Sequence, residues 1–188
     1  MIMSARIKTV MLRRKDKTNY RKRLRTLMSG KPRIVIRKTD KHLYVQAVKY
    51  SSAGDKVLFT ISSKSLEKLG WKAGEKNLPS AYLTGLLAGK KAKELHIKEA
   101  ILDIGLHPAI KGGKVFAALK GLIDAGLTVP HSAEVLPSDD RVSGKHIAEY
   151  AQKTKDRKVQ FAAYAKNNVQ VENMPKIFEE MKNKITGM

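Results

Sequence analysis

Cysteine is absent from the 188 residues, which removes disulfides, thiolate-ligated zinc and cysteine nucleophiles together. Acidic residues are scarce: 17 Asp and Glu stand against 38 Lys and Arg, a formal net charge of +21. No apolar run approaches the roughly 20 residues needed to cross a bilayer. The opening Met1-Ile2-Met3-Ser4-Ala5-Arg6-Ile7-Lys8 has no continuous apolar core and no cleavage signature, so secretion is not expected and a reducing, cytoplasmic setting is. A hydrophobic fraction of 42% still suffices for a packed core and excludes a disordered basic tail. The length suits one domain with an extension.

The positive charge is concentrated. Residues 1–50 carry sixteen Lys and Arg against Asp16 and Asp40, a net +14, and the other 138 residues supply the remaining +7. Such an imbalance repels itself in a compact state unless a polyanion neutralises it. Nucleic acid is the first candidate, and an anionic membrane surface is the second.

Thr18 or Asn19 can cap a helix running to Met28, with Tyr20, Leu24, Leu27 and Met28 as a narrow apolar seam and Arg21, Lys22, Arg23 and Arg25 around it. Ser29-Gly30-Lys31-Pro32 ends it. Arg33–Arg37 alternates, placing Ile34 and Ile36 on one face and Arg33, Val35 and Arg37 on the other. Leu43, Val45 and Ala47 mark a second strand, and Val57, Phe59 and Ile61 a third, so an antiparallel meander is expected. Pro79 opens a helix to about Leu95 that buries Leu83, Leu86 and Leu87; Gly85 and Gly89 point to close approach of this helix to the sheet. Ala100–Ile104 reads as a strand buried on both faces. A helix follows with Val115, Leu119, Leu122 and Ile123, and Leu127-Thr128-Val129 returns to the sheet. The order β-β-β-α-β-α-β implies an α/β domain with a mixed sheet. Three regions are expected: a basic arm and helix (1–28), the α/β domain (29–140) and a helical extension (141–188). The last helix starts at Pro175 and aligns Ile177, Phe178, Met181 and Ile185.

Catalytic chemistry finds little support in the motifs. A P-loop needs Gly, four residues, then Gly-Lys-Ser/Thr. Gly113-Lys114 is followed by Val115 and has Pro108 in place of the first Gly, while Gly89-Lys90 is followed by Lys91. Gly112-Gly113-Lys114 fits two readings equally, a phosphate seat at a helix start or a plain turn. A nuclease needs converging carboxylates, yet Asp103, Asp124 and Asp139-Asp140 are scattered. The five histidines show no i, i+4 pairing, so no metal or cofactor is expected. Trp71 and Tyr82 read as packing residues. Tyr20, among Arg21, Lys22 and Arg23, is equally suited to stacking on a base.

Several segments in order over residues 13–150 resemble one family. They are Arg13-Arg14, Lys17–Tyr20 with Arg23, Ser29–Arg33, Arg37–Thr39, Pro79–Ala92, Leu102–His107, Val115–Gly121, Asp124–Leu127 and Pro130–Ser132. Together they are similar to the eighteenth large-subunit ribosomal protein in its archaeal and eukaryotic form, which binds 5S ribosomal RNA (rRNA) in the central protuberance. The resemblance implies a three-layer α/β/α domain with a five-stranded mixed sheet. It also implies contacts with 5S rRNA, large-subunit rRNA and the other 5S-binding protein, and no catalytic site. The candidate RNA-binding residues are Arg13, Arg14, Lys15, Lys17, Asn19, Tyr20, Arg21, Lys22, Arg23 and Arg25 in the arm and first helix. Lys31, Arg33, Arg37, Lys38, Lys41 and His42 extend the surface along the first hairpin, and Lys114 stands apart. The rival functions are a free-standing basic RNA chaperone and a nuclease on a related fold. Residues 1–12 look extra to the family, and Trp71–Asn77 is more charged than its usual small-residue loop, so neither carries a candidate.

Overall fold

The computed structural model describes residues 18–154 and 160–187. Its first helix, α1 (Tyr20–Leu27), is capped by the Asn19 side chain, which accepts the Lys22 N–H at 3.0 Å. The cap holds one of the donors that a helix start leaves unpaired. None of the α1 residues is buried, and Leu24 and Met28 remain 64% and 79% exposed. The expected apolar seam is therefore too thin to dock the helix by itself.

Strands β1 (Arg33–Lys38), β2 (Leu43–Lys49) and β3 (Lys56–Ser62) form the expected antiparallel meander, with Ile36 opposite Val45 and Ala47 opposite Phe59. After α2 (Ser65–Lys68) and α3 (Leu78–Glu94), strand β4 (Ile101–Asp103) joins β1 in parallel. The sheet order is β3-β2-β1-β4. The mixed sheet has four strands, not five. Leu127–Val129 contributes a single parallel bridge, Thr128 to Glu99. Gly126 turns the chain with φ +101°, and Pro130 has no N–H to continue a ladder. Consequently β4 is a half-buried strand, not one buried on both faces.

A register shift between Ala47 and Val48 pairs Val48 with Val57 and leaves Leu58 as the extra residue. This bulge turns Val57 to the face opposite Phe59, against the simple alternation read from the sequence.

Helix α3 follows a complete capping box: Asn77 accepts the Ser80 N–H at 2.7 Å, and Ser80 Oγ accepts the Asn77 N–H at 3.1 Å. Twelve of its seventeen residues are buried because it serves two cores. One joins Ala81 and Ala88 to Ile34, Ile36, Val45 and Phe59 of the sheet and to Phe116 and Leu119 of α4 (Lys114–Asp124). The other joins Tyr82, Leu83 and Leu86 to Leu66, Trp71 and the C-terminal helices α5 (Asp139–Ser143), α6 (Lys145–Lys153), α7 (Ala162–Lys166) and α8 (Met174–Gly187). Phe178, Met181 and Ile185 of α8 are buried there. Each fully buried side chain of this size contributes on the order of 1.5–3 kcal/mol.

The glycines of α3 serve a different contact from the one expected. A Cβ on Gly85 would lie 2.0 Å from the Ala118 carbonyl oxygen, and one on Gly121 would lie 2.2 Å from that of Tyr82. They let α3 and α4 cross backbone to backbone, rather than bringing α3 onto the sheet. Both helices cover the Ile34/Ile36 face, which leaves the other face to α1.

Candidate nucleic-acid interface

The outward face of the sheet begins with charged residues inside strands. Alternation puts Arg33 and Arg37 beside Val35, and β4 brings Asp103 next to them, opposite Val35 in register. Helix α1 stands over this face across a cleft of about 370 Å³, lined from above by Asn19, Lys22, Arg23 and Thr26.

Two carboxylates organise the cations. Asp55 Oδ2 accepts from Arg33 Nη2 at 2.6 Å and from Arg23 Nη2 at 2.8 Å, tying α1 to β1. Asp103 Oδ2 accepts from Arg33 Nη1 at 3.0 Å, and its Oδ1 accepts from Arg37 Nη2 at 3.1 Å. Arg37 Nη1 also donates to the Asp103 carbonyl at 2.7 Å. The Gly105 N–H donates to Asp103 Oδ1 at 2.8 Å. Gly105 has φ +62°, which favours glycine, and a Cβ there would lie 2.8 Å from the Arg37 guanidinium carbon and push that group aside. Burial alone would raise the Asp103 pKa; the Arg37 charge, the Gly105 N–H and Arg33 outweigh it and hold that carboxyl below its ordinary range.

This network divides the candidate residues. Arg33 is 4% exposed and gives both terminal nitrogens to Asp55 and Asp103. Arg23 and Arg37 are partly engaged in the same way. Arg21, Lys22 and Arg25 are exposed on α1, and their side chains meet no acceptor among the described residues. Asn19 caps the helix that carries them, and Tyr20 is half-buried at its start. Arg13, Arg14, Lys15 and Lys17 lie outside the described residues.

The remaining candidates lie farther along the molecule. Lys31 pairs with Glu99 at 2.5 Å. Lys41 and His42 border a shallow depression with Glu75 and Lys76, and His42 Nδ1 contacts the Glu75 carboxylate directly. Burial, followed by Glu67, raises the Glu75 pKa against the opposing pull of His42. Lys38 and Lys114 share a third cleft with Lys76 and His107.

Asp55, Asp103 and Lys76 are the residues that sequence reasoning left out. Asp103 did leave a trace, as the single charge in the apolar run Ala100–Ile104. Asp55 was hidden in turn chemistry and Lys76 in an unassigned loop. The other acids weighed for catalysis each face a donor: Asp124 accepts from the Tyr82 hydroxyl at 2.7 Å and Asp139 from Lys120 Nζ at 2.6 Å. Trp71 and Tyr82 are each 1% exposed and belong to the core.

The chain matches the family described as ribosomal large subunit proteins 60S L5 and 50S L18 over residues 6–98 and 91–132, which is more than half of its length. The matched segments contain α1, the whole sheet, α3 and α4. They therefore include both the carboxylate-braced arginines and the exposed cations above them. A basic, rRNA-binding protein of the large ribosomal subunit accounts for the sequence and the geometry together, and the chain belongs to the family of ribosomal large subunit proteins 60S L5 and 50S L18.

Proposed function

We propose that this protein is a structural constituent of the large subunit that binds 5S rRNA and helps attach it to the large rRNA in the central protuberance. The observation that carries this reading is the division of labour on the outward face, in a chain of this family. Asp55 and Asp103 hold Arg23, Arg33 and Arg37 in place, and the braced helix presents Arg21, Lys22 and Arg25 without protein partners among the described residues. Fixed cations of this kind position a protein on folded RNA through phosphates, and RNA shape supplies much of the selectivity. Arg13, Arg14, Lys15 and Lys17, which precede α1 in the sequence, belong to the same proposed set of RNA-binding cations. In this reading the other 5S-binding protein and neighbouring large-subunit proteins are its protein partners, and the protein has no catalytic role.

Two measurements test it. Sedimented native extract should carry the protein with the large subunit, and purified protein should bind 5S rRNA with a steep salt dependence. Neutralising roughly 6–10 phosphates would lower affinity on the order of 10³–10⁵-fold between 50 and 200 mM salt, by the duplex-DNA rule. A flat salt response contradicts binding through phosphates, and sedimentation away from subunits defeats the reading and favours a free-standing chaperone.

A further inference from the structure

Because β1 and β4 run parallel, their carboxyl ends lie at the same end of the sheet. A cleft of about 560 Å³ opens there. Its walls are Lys38, Thr39 and Asp40 after β1, Lys76 ahead of α3, the loop His107–Ile110, and Gly113–Val115 at the start of α4. Three lysines from three distant parts of the chain line this one space. The side chains of Lys38 and Lys114 meet no acceptor among the described residues. Lys76 has Asp40 at 4.0 Å, but that carboxylate is fully exposed and screens little.

The rest of the wall does not offset these charges. The Lys38 N–H donates to His107 Nε2 at 3.3 Å. Burial, then Lys38 and Arg37, lowers the His107 pKa, so the ring sits there as a neutral acceptor. Lys114 loses basicity through burial, then through repulsion from Lys76 and Lys38. Like charges gathered in a partly desolvated cleft are unfavourable until an anion joins them. The Gly113 start of α4, which lacks a side-chain cap, adds N–H donors to a seat that the lysines already define.

We propose that this cleft grips a backbone phosphate of the bound RNA through Lys38, Lys76 and Lys114. The proposal rests on the RNA-binding reading above and adds a second contact point to it. Continuity of the surface favours RNA as the occupant. Gly105 and Leu106 line the cleft under α1, and His107, Pro108 and Ile110 line this one. One loop thus separates the two, and an RNA strand offers a phosphate at every nucleotide. Gly112-Gly113-Lys114 alone fits a turn equally well; Lys38 and Lys76, remote in sequence, mark it as a seat.

The test uses the full chain and two double variants that each remove two positive charges, K76Q/K114Q in the cleft and K166Q/K176Q at exposed positions of the C-terminal helices. Each is titrated with 5S rRNA across a salt series. The cleft pair should weaken binding on the order of 10–100-fold and make the slope of log K against log salt shallower by about 1–2. The K166Q/K176Q pair should change little, and K76R/K114R should retain most of the affinity. Equal losses in the two Gln pairs would overturn the seat. Nitrogen-detected titration of the Lys114 ammonium in the unmutated protein gives a readout that does not depend on folding of a variant. Its pKa should rise when RNA binds, and an unchanged pKa overturns the seat. If 5S rRNA fails to bind the unmutated protein, the 5S assignment fails; the seat is then judged on large-subunit rRNA by the same criteria, and absence of binding to both RNAs overturns it. A hexaglutamate peptide that moves the Lys114 resonance while RNA does not would assign the cleft to protein carboxylates and overturn the phosphate proposal.

Discussion

The two faces of the sheet are made by the same strands, residue by alternate residue, yet they are held by different forces. On one face Ile34, Ile36, Val45 and Phe59 disappear under α3 and α4 into an apolar core. On the other, Asp103 holds Arg33 and Arg37, Asp55 links Arg33 to Arg23 of α1, and the covering helix has no buried residue of its own. The first face gains stability by excluding water from apolar surface, which needs no fixed geometry beyond close packing. The second is joined by directional ion pairs, which hold α1 in position while leaving most of its charge in solvent. A buried apolar contact stabilises but presents nothing. A braced cationic helix adds little stability and leaves its charges exposed, as the proposed RNA contact requires.

Substitutions on each face separate these roles. The largest effect is expected from R21E/K22E/R25E. If each side chain makes a charge-assisted phosphate contact, 5S rRNA affinity at one salt concentration should fall on the order of 10³-fold or more. Because none of the three is buried, the melting temperature should move little. An equal loss from K153E/K166E/K176E, which reverses three exposed lysines of the C-terminal helices, would erase the distinction between a positioned surface and diffuse charge.

On the apolar face, I36A should cost about 3 kcal/mol of stability by urea unfolding. RNA affinity should be unchanged wherever the protein remains folded. A loss of affinity without a loss of stability would mean that the core face communicates with RNA directly.

D103N tests stability and RNA affinity together on the charged face. It removes the charge that Arg33 and Arg37 share, but Asp55 still holds Arg33. The expected cost is therefore about 2 kcal/mol, below the roughly 3–5 kcal/mol of a buried charge left wholly unpaired. RNA affinity should fall modestly, because Arg33, which shares Asp55 with Arg23 of α1, loses one of its two carboxylates. Wild-type stability in D103N would mean that Asp103 does not brace Arg33 and Arg37.

The smallest effect is the acid signature of the same carboxyl. The folded-state pKa of Asp103 lies below its unfolded value. Its contribution is thus present above the unfolded pKa and is lost as pH falls through the folded one. D103N should lose less stability than wild type on acidification below about pH 4. Parallel acid profiles for the two proteins would remove Asp103 from the network.

Much of this organisation was legible along the chain. Alternation in Arg33–Arg37 assigned Ile34 and Ile36 to the core and turned the arginines outward, because side chains in a strand alternate whatever lies around them. The spacing of Phe178, Met181 and Ile185 marked the buried stripe of α8 for the corresponding helical reason. Charge density in residues 1–50 pointed to a polyanionic partner, since it depends on composition alone. Elsewhere local pattern misled. Val57 changed face because a bulge opposite Val48 is a property of two paired strands. The expected fifth strand reduced to one bridge at Thr128 because pairing length depends on a neighbour's register as well as on apolar residues.

The sequence by itself determined the strand and helix periods, the core-facing residues and the concentration of positive charge, all of which follow from near neighbours in the chain. Tertiary structure decided which charges are engaged and which are exposed. Arg33 and Arg21 are the same side chain in equally basic surroundings, but folding brings Asp55 and Asp103 to Arg33 from 22 and 70 residues away and leaves Arg21 exposed. Folding likewise gathered Lys38, Lys76 and Lys114 around one cleft. Ion pairing depends on distance in space, and separation along the chain carries no information about it until the fold is made.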